Sequence, residues 1–273
     1  MKRSRLFIST LTLLALGVAS PVLFPGSQTA WAQDDREKAQ EQRRVLKATD
    51  MTQLSVSEAY RAAAREKRHE SIEFLKQIIA ERNPQGEQRA EMMLRLADLY
   101  FEEGRDLYLG EMQVYQDEID KCYNDPKCKP DTVKVNNTVS RGWQDKSIKL
   151  YRQILDSYPQ YARADEATFY LASALSDIGQ QEKPKLDEAV KEFLRLVKMY
   201  PESKYVPDSY VQIGEYYFDN NNAFKAMQAY KHATSFRDSD KYPFAMYKLA
   251  WCYYNVGEYS KACLLYTSPS PRD

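Results

Sequence analysis

Residues 210–262 contain one residue pattern twice, and this repetition constrains the fold more than any other feature of the chain. Small and aromatic residues recur at the same offsets, 36 positions apart: Gly214 with Ala250, Tyr217 with Tyr253, and Ala226 with Ala262. Self-similarity at such a period is typical of proteins built from stacked structural repeats. We expect the small residues to lie where two helices approach closely and the aromatic residues to fill the remaining space.

Helical periodicity extends this pattern towards the N-terminus. Glycine is scarce, with 9 residues in a chain of 273, and no alternating run indicates a β-strand. The predicted first helices of the repeats are 90–104, 165–179, 208–220 and 244–256, and the predicted second helices are 71–79, 147–155 and 189–197. A proline soon follows each of these second helices and sets the turn into the next repeat. A polar insert at 180–185 is expected to lengthen one inter-helix turn.

The repeated pattern resembles the tetratricopeptide (TPR) repeat, a helix-turn-helix unit of about 34 residues. The resemblance covers most of residues 56–262 and implies an all-α fold, a right-handed TPR-like α-solenoid of helical hairpins. Residues 105–145 interrupt the regular spacing. Apolar residues at alternating spacings of four and three predict one long inserted helical hairpin there, with both helices extended and a tip at 122–130.

The N-terminus has the parts of an export signal. Basic residues precede an apolar run at 6–18 that is short for a membrane span. We therefore predict a signal peptide at 1–32, with an uncleaved anchor as the alternative, and no transmembrane span after its removal. Residues 33–55 form a charged leader whose composition allows either a solvated helix or a flexible segment. The predicted cleavage-site residues are Ala30, Ala32 and Gln33.

Residues 263–273 break the helical pattern abruptly, with two prolines close together. This stretch is identical to one reading frame of a transposase adapter used in DNA library preparation. We expect it to be a sequencing-adapter artefact, with the native protein continuing beyond Ala262. A genuine short tail is the alternative.

Two of the cysteines are close together in the sequence. Cys122 and Cys128 bracket five residues at the predicted tip, and in an exported protein such a pair favours a disulfide over free thiols or half of a metal site. Cys252 lies within a repeat helix and is expected to be a buried, unreactive thiol.

Nothing in the sequence assembles a catalytic or cofactor site. Nucleophile elbows, phosphate loops and zinc-binding helix motifs are absent, so we predict no enzyme activity, no cofactor, no metal and no small-molecule substrate. The 39 basic and 39 acidic residues balance, and removing a signal peptide with three basic residues leaves a net charge near −3. That charge gives no reason to expect a nucleic-acid partner.

The TPR resemblance implies that the first helices line a groove for protein or peptide partners. Aromatic residues at these spacings also serve packing between repeats, and that alternative stays open. The predicted groove residues are Phe169, Ser173 and Ser176 in one repeat, Val211, Glu215, Phe218 and Asp219 in the next, and Tyr247, Trp251, Tyr254 and Asn255 in the last.

Two tyrosine-proline turns, at 158–162 and 200–207, are similar to turns in BamD-type and CpoB-type TPR proteins of the bacterial envelope. The insertion at 105–145 resembles TPR proteins of myxobacterial-type envelopes, some of them associated with gliding. The chain lacks the lipobox cysteine of the BamD type. We therefore predict a periplasmic or secreted scaffold for envelope proteins. A targeting half of a longer envelope enzyme and a self-assembling repeat array stay open as alternatives.

Overall fold

The structure, a computed structural model, describes residues 59–266, and every regular element within that range is a helix. The described residues from 62 onwards belong to one compact unit by their contacts. The predicted signal peptide, its cleavage site and the whole charged leader lie outside the described residues, as do residues 267–273 of the predicted adapter segment. The helices are α1 (59–81), α2 (Gly86–Tyr123), α3 (Thr138–Ser157), α4 (Ala164–Gly179), α5 (Lys183–Met199), α6 (Val206–Asp219), α7 (Ala223–Ala233), α8 (Tyr242–Asn255) and α9 (Tyr259–Tyr266).

From α2 onwards, consecutive helices pair as helical hairpins. The closest associations join α2 with α3, α4 with α5, α6 with α7, and α8 with α9, and each hairpin also packs on the next. This arrangement confirms the predicted all-α, TPR-like solenoid of helical hairpins. A repeat of this kind cannot bury its apolar face alone, so stacking of neighbours produces one continuous core. Buried residues of α2, α3, α4 and α5 form the largest part of that core.

Two glycines allow the helices of a hairpin to pack closely, and one of them, Gly214, belongs to the repeated pattern. A Cβ atom at Gly214 of α6 would overlap the ring of Tyr230, which is fully buried on α7. At Gly179, at the end of α4, a Cβ atom would lie 2.6 Å from the backbone nitrogen of Leu186. The absence of a side chain at these two positions therefore permits the hairpins α6–α7 and α4–α5 to close.

Both helices of the inserted hairpin are extended, as predicted, but unequally: α3 begins at Thr138, nine residues before the predicted second helix at 147–155. Helix α2 runs unbroken for 38 residues, which corresponds to roughly 57 Å at 1.5 Å per residue. The chain returns through an irregular segment, 124–137, which contains only a short 3₁₀ helix, Pro130–Thr132. Pro126 and Pro130 lack backbone N–H donors, and this explains why the return segment is not helical.

The turn between α4 and α5 is shorter than the sequence indicated. It comprises only residues 180–182, because Lys183–Lys185 form the start of α5. Pro184 occupies the first turn of that helix, where its missing N–H costs nothing and its fixed φ angle suits the helix. The polar insert therefore extends a helix and does not lengthen the turn.

Membrane insertion can be addressed only for the residues that the structure describes. Between 59 and 266, no helix is both long enough and apolar enough to cross a bilayer.

Candidate interaction surface

The predicted groove residues occupy the same register on three successive first helices, α4, α6 and α8. Within each helix they are three or four positions apart and therefore share one face. We call this face the first-helix stripe. Its members are Phe169, Ser173 and Ser176 on α4, Val211, Glu215 and Phe218 on α6, and Tyr247, Trp251 and Tyr254 on α8.

On α6, the stripe is covered by the next first helix of the array. Val211 is 4% exposed and packs in a small cluster with Ala245 of α8. Lys248 of α8 places its Nζ atom 2.9 Å from a carboxylate oxygen of Glu215 and 4.5 Å from the ring centroid of Phe218. At all three positions, the α6 stripe therefore contacts the neighbouring repeat.

On α4, the stripe also takes part in packing between repeats. Phe169 stacks on Tyr205, the residue that precedes α6, with 4.5 Å between ring centroids. Its edge also meets Phe193 of α5 at 6.0 Å. Ser173 donates its hydroxyl hydrogen to the carbonyl of Phe169 at 2.9 Å, and Ser176 is half-buried. On α4, therefore, Phe169 is used in packing between repeats, whereas Ser173 and Ser176 are half-buried.

On α8, the stripe is exposed. Tyr247, Trp251 and Tyr254 are 50%, 43% and 53% exposed. The ring centroids of Trp251 and Tyr254 are 5.5 Å apart, and Tyr259 of α9 adds an edge contact to Tyr254 at 5.4 Å. We call Tyr247, Trp251 and Tyr254 the α8 aromatic stripe. The structure thereby separates one exposed part of the predicted groove from two parts used in packing.

The last predicted groove position on α6 and on α8 lies at the C-terminal end of each helix. Asp219 and Asn255 are both exposed. Tyr259, which the groove prediction missed, lies beside this end of α8 because the chain turns sharply at Gly257, where φ is +82°. The short distance in sequence between Tyr254 and Tyr259 across a glycine was the available signal.

A second feature that the groove prediction missed is a half-buried carboxylate on α2. Asp98 accepts a hydrogen bond of 2.8 Å from the hydroxyl of Tyr151, a fully buried residue of α3. Burial raises the pKa of the Asp98 carboxyl to about 6, although the hydrogen bond from Tyr151 acts in the opposite direction. Asp98 occupies the position on α2 that Glu215 occupies on α6. Aligning the sequences of the two hairpins would therefore have pointed to Asp98.

The cysteines differ in environment. Cys122 and Cys128 are joined by a disulfide, with their Cα atoms 5.1 Å apart, where α2 ends and the irregular segment begins. Cys252 is buried in α8, and burial raises the pKa of its thiol to about 11, so little reactive thiolate forms near neutral pH. Among residues 59–266, no cluster of three or more His, Cys, Asp or Glu side chains is arranged to hold a metal ion.

Comparison with known proteins adds sequence and structural likenesses. A family model described as a tetratricopeptide repeat matches residues 244–268, which include most of α8 and all of α9. No curated protein matches the chain in sequence. Among solved structures, the chain resembles nearly identical TPR-like repeats assigned to a kinesin light chain of Podosopora anserina. Two such structures have TM-scores of 0.47 and 0.46, at 15% and 16% identity. They cover 76% of this chain in each case, and 87% and 88% of their own chains.

A further similar structure is BtubC (BKLC) from P. vanneervenii. It has a TM-score of 0.42 at 16% identity, with coverage of 74% of this chain and 86% of that one. The repeat detected at 244–268 belongs to a class that stacks into extended binding surfaces. A TPR repeat suggests a protein-interaction scaffold and is typically non-catalytic.

Proposed function

We propose that this chain is an exported scaffold of the bacterial cell envelope that binds protein partners through its helical-hairpin array. The observation that carries the proposal is the α8 aromatic stripe. Three large aromatic side chains, each about half exposed, lie on one face of one helix. Contiguous apolar patches of this kind mark interaction sites on soluble proteins, and Trp and Tyr are enriched among the residues that dominate binding energy.

Binding at this surface requires no chemistry and little rearrangement. Trp251 and Tyr254 contact each other, and Tyr254 also contacts Tyr259, so the rings restrict one another's rotamers before a partner arrives. A preorganised surface loses less side-chain entropy on binding. The scaffold would therefore act passively, by holding a partner on a preformed face.

The envelope location is supported by three features. The N-terminal sequence has the basic, apolar and small-residue parts of an export signal. The cysteine pair at the end of α2 is bonded, as expected in an oxidising compartment. The tyrosine-proline turns are similar to those of BamD-type and CpoB-type envelope proteins. Partners would accordingly be proteins of outer-membrane, division, transport or motility machinery.

Photo-crosslinking in cells tests the binding surface. A benzoylphenylalanine at position 254 should give discrete adducts with one or a few proteins after irradiation. The matched control is position 224, where Phe224 of α7 is 66% exposed outside the stripe and should give no discrete adduct. Equal labelling at both positions, or none at either, would contradict the proposed surface.

N-terminal sequencing of the protein recovered from the envelope fraction tests export separately. We expect a mature chain that begins at Gln33 and is protected from protease in intact cells. Recovery of an uncleaved chain from the cytoplasm would exclude the proposed location and leave the binding surface to be judged by crosslinking alone.

A further inference from the structure

Acidic and basic residues are divided between the two helices of the hairpins α4–α5 and α6–α7. The first helices, α4 and α6, have three acidic residues each and no lysine or arginine. Of the second helices, α5 has five basic and three acidic residues, and α7 has two lysines and no acidic residue. The first helices therefore carry negative charge and the second helices carry positive charge.

Basic residues elsewhere in the molecule pair with most of the acidic residues of α4 and α6. The pairs are Arg163 with Glu166 at 2.8 Å, Arg105 with Asp177 at 3.8 Å, Lys241 with Asp208 at 3.2 Å, and Lys248 with Glu215 at 2.9 Å. The negative charge of the first helices is thus mostly compensated within the chain.

The positive charge of α5 is compensated less completely. Its three acidic residues each pair with a basic residue of the same helix, at 3.5, 3.2 and 3.3 Å. Among residues 59–266, no carboxylate lies within ion-pair distance of Lys191 or Lys198, and both side chains are exposed. Positive charge on α5 is therefore available to a partner that is negatively charged.

These exposed lysines share one face of α5 with exposed apolar side chains. Residues three, four, seven and eight positions apart lie on the same face of a helix. We call this face the α5 outer face, and its members are Lys191, Leu194, Arg195, Lys198 and Met199. Leu194 is 40% exposed and Met199 is 61% exposed. The buried residues of α5 lie on the opposite face, so Leu194 and Met199 extend away from the core.

Cations and apolar side chains on one exposed helix face are typical of helices that lie at a bilayer surface. Lysine and arginine are attracted by the negative potential of anionic headgroups, and their apolar stems pack beside inserted side chains while the charge stays in water. We propose that the α5 outer face binds the surface of an anionic phospholipid bilayer without crossing it. Leu194 and Met199 enter the headgroup region, and the three cations of the face contact lipid phosphates.

The shape of the face favours a bilayer over a folded protein partner. Cavities of about 810, 710 and 550 Å³ in the described residues are lined by other segments, so the α5 outer face meets its partner as an open surface. Two apolar side chains that project singly among cations fit a fluid lipid leaflet, whereas a protein partner needs a well-packed pocket for such anchors. The face lies on a different helix from the α8 aromatic stripe, and the two surfaces can act independently.

Vesicle co-sedimentation tests the proposal with the protein purified from the envelope fraction. We expect it to bind vesicles of equal parts phosphatidylglycerol and phosphatidylcholine at least about tenfold more strongly than vesicles of phosphatidylcholine alone. Binding should weaken as salt is added, because salt screens exposed charges. Equal binding to the two kinds of vesicle, or binding to neither, would overturn the proposal.

Charge reversal locates the contact. The variant Lys191→Glu, Lys198→Glu should lower binding to the anionic vesicles at least about tenfold. The control Lys121→Glu, Lys129→Glu changes the net charge by the same amount at two exposed lysines of other segments and should bind like the wild type. Equal loss in both variants would show attraction by net charge alone and would exclude a contact through α5.

Polar substitution of the apolar residues separates a bilayer from other anionic partners. Leu194→Ser with Met199→Ser should lower vesicle binding several-fold, because less apolar surface leaves water. The control Leu109→Ser with Val114→Ser alters exposed apolar residues of α2 and should keep full binding. An unchanged affinity of the α5 variant for vesicles, or tighter binding of the wild type to soluble polyglutamate than to vesicles, would overturn the bilayer as the partner.

A benzoylphenylalanine at position 194 distinguishes this contact from the scaffold function. In cells it should label lipid and give no discrete protein adduct, whereas position 254 should give protein adducts. Discrete protein adducts at position 194 would assign the α5 outer face to a protein and overturn the bilayer contact, whatever the result at position 254. Absence of adducts at position 254 with vesicle binding intact would contradict the scaffold function and leave the bilayer contact standing.

Discussion

The hairpins α2–α3 and α6–α7 contain the same hydrogen bond between a tyrosine and a carboxylate, but only in α6–α7 does a cation pair with that carboxylate. In each hairpin a buried tyrosine of the second helix donates its hydroxyl hydrogen to a carboxylate of the first, Tyr151 to Asp98 and Tyr230 to Glu215. The next repeat supplies Lys248 to Glu215. Within residues 59–266, no cation lies within ion-pair distance of Asp98, whose pKa burial raises to about 6.

The difference shows that a neighbouring repeat can supply a cation to a carboxylate of the repeat before it, in addition to covering apolar surface. A buried carboxylate is costly to ionise unless a cation approaches it, and a hydrogen bond from a hydroxyl offsets only part of that cost. In α6–α7 the cation comes from the following first helix. In α2–α3, Arg163 and Arg95 lower the pKa of Asp98 without pairing with it, and other cations reach α2 from the helix that precedes the hairpin.

Helix α1 brings those cations to a different carboxylate. Glu103 of α2 is fully buried and meets Arg65 and Arg68, each at 2.7 Å, and the Nε2 atom of His69 at 3.0 Å. Burial by itself raises the pKa of the Glu103 carboxyl, but the hydrogen bonds from these three residues outweigh it and hold the pKa below its usual value. The α1 helix is thus attached to α2 by a buried ionic cluster beside a small apolar one.

The largest loss of stability is expected from Glu103→Ala. Removing the carboxylate leaves Arg68, with a side chain that is 12% exposed, partly buried without its main partner, and breaking a buried ion pair costs about 3 to 5 kcal/mol. Hydrogen exchange should show α1 losing protection while α6–α7 is unchanged, because each repeat contacts only its neighbours. The control Glu102→Ala removes a 59% exposed carboxylate whose ion pair with Arg68 is longer, at 3.4 Å, and should change the free energy of unfolding by less than about 0.5 kcal/mol. Equal effects would refute the buried cluster.

A smaller loss of stability, confined to the hairpin α6–α7, is expected from Gly214→Ala. The added methyl group would overlap the ring of Tyr230, and overpacking of a core typically costs about 1 to 3 kcal/mol. Denaturant unfolding and hydrogen exchange should localise the loss to α6–α7.

Two other glycine substitutions sharpen the comparison. At Gly104 on α2 an added Cβ would lie 3.0 Å from Cγ of the buried Gln144 and 3.3 Å from two backbone atoms of α3. These distances exceed the 2.4 Å between an added Cβ at Gly214 and the ring of Tyr230, so Gly104→Ala should cost less than Gly214→Ala. At Gly142 on α3 no atom lies within 4 Å, and alanine there should stabilise the helix by up to about 1 kcal/mol. If Gly142→Ala lowered the free energy of unfolding as much as Gly214→Ala, close packing against Tyr230 would not explain the effect at Gly214.

A pH-dependent gain in stability is expected from Asp98→Asn. Since the pKa of Asp98 is raised in the folded protein, the folded state retains a proton that the unfolded state releases, and stability falls as the pH rises from about 4 to about 6. Asparagine keeps an oxygen acceptor for Tyr151 and cannot ionise. The variant should therefore gain about 2 kcal/mol near pH 7 and little near pH 4.

Unfolding at the two pH values measures this gain. The control Glu118→Gln changes an exposed carboxylate of α2 and should have little effect at either pH. A constant difference between Asp98→Asn and the wild type at both pH values would contradict the assigned cause.

The smallest effect on stability is expected at the α8 aromatic stripe. Trp251→Ala with Tyr254→Ala removes exposed rings and should change the free energy of unfolding by less than about 1 kcal/mol. Phe218→Ala removes the covered counterpart, half-buried beneath Lys248, and should cost more. If the α8 change is the costlier one, the α8 aromatic stripe is a packing surface and not a binding surface.

The sequence alone determined the repeated unit and most of its helices. The 36-residue spacing and the small residue at Gly214 follow from a steric requirement, since two helices can approach closely only where a side chain is absent. That requirement is local and repeats with the structural unit, so it is visible in one sequence. The disulfide between Cys122 and Cys128 was also predicted from the sequence, because two cysteines close together in an exported protein favour a bond.

Only the tertiary structure decided which part of the first-helix stripe is exposed. Phe169, Val211 and Tyr247 occupy equivalent positions, but a neighbouring segment covers the first two and none covers the third within the described residues. Residue type fixes what a helix face can contact, whereas the packing of distant helices fixes whether it does.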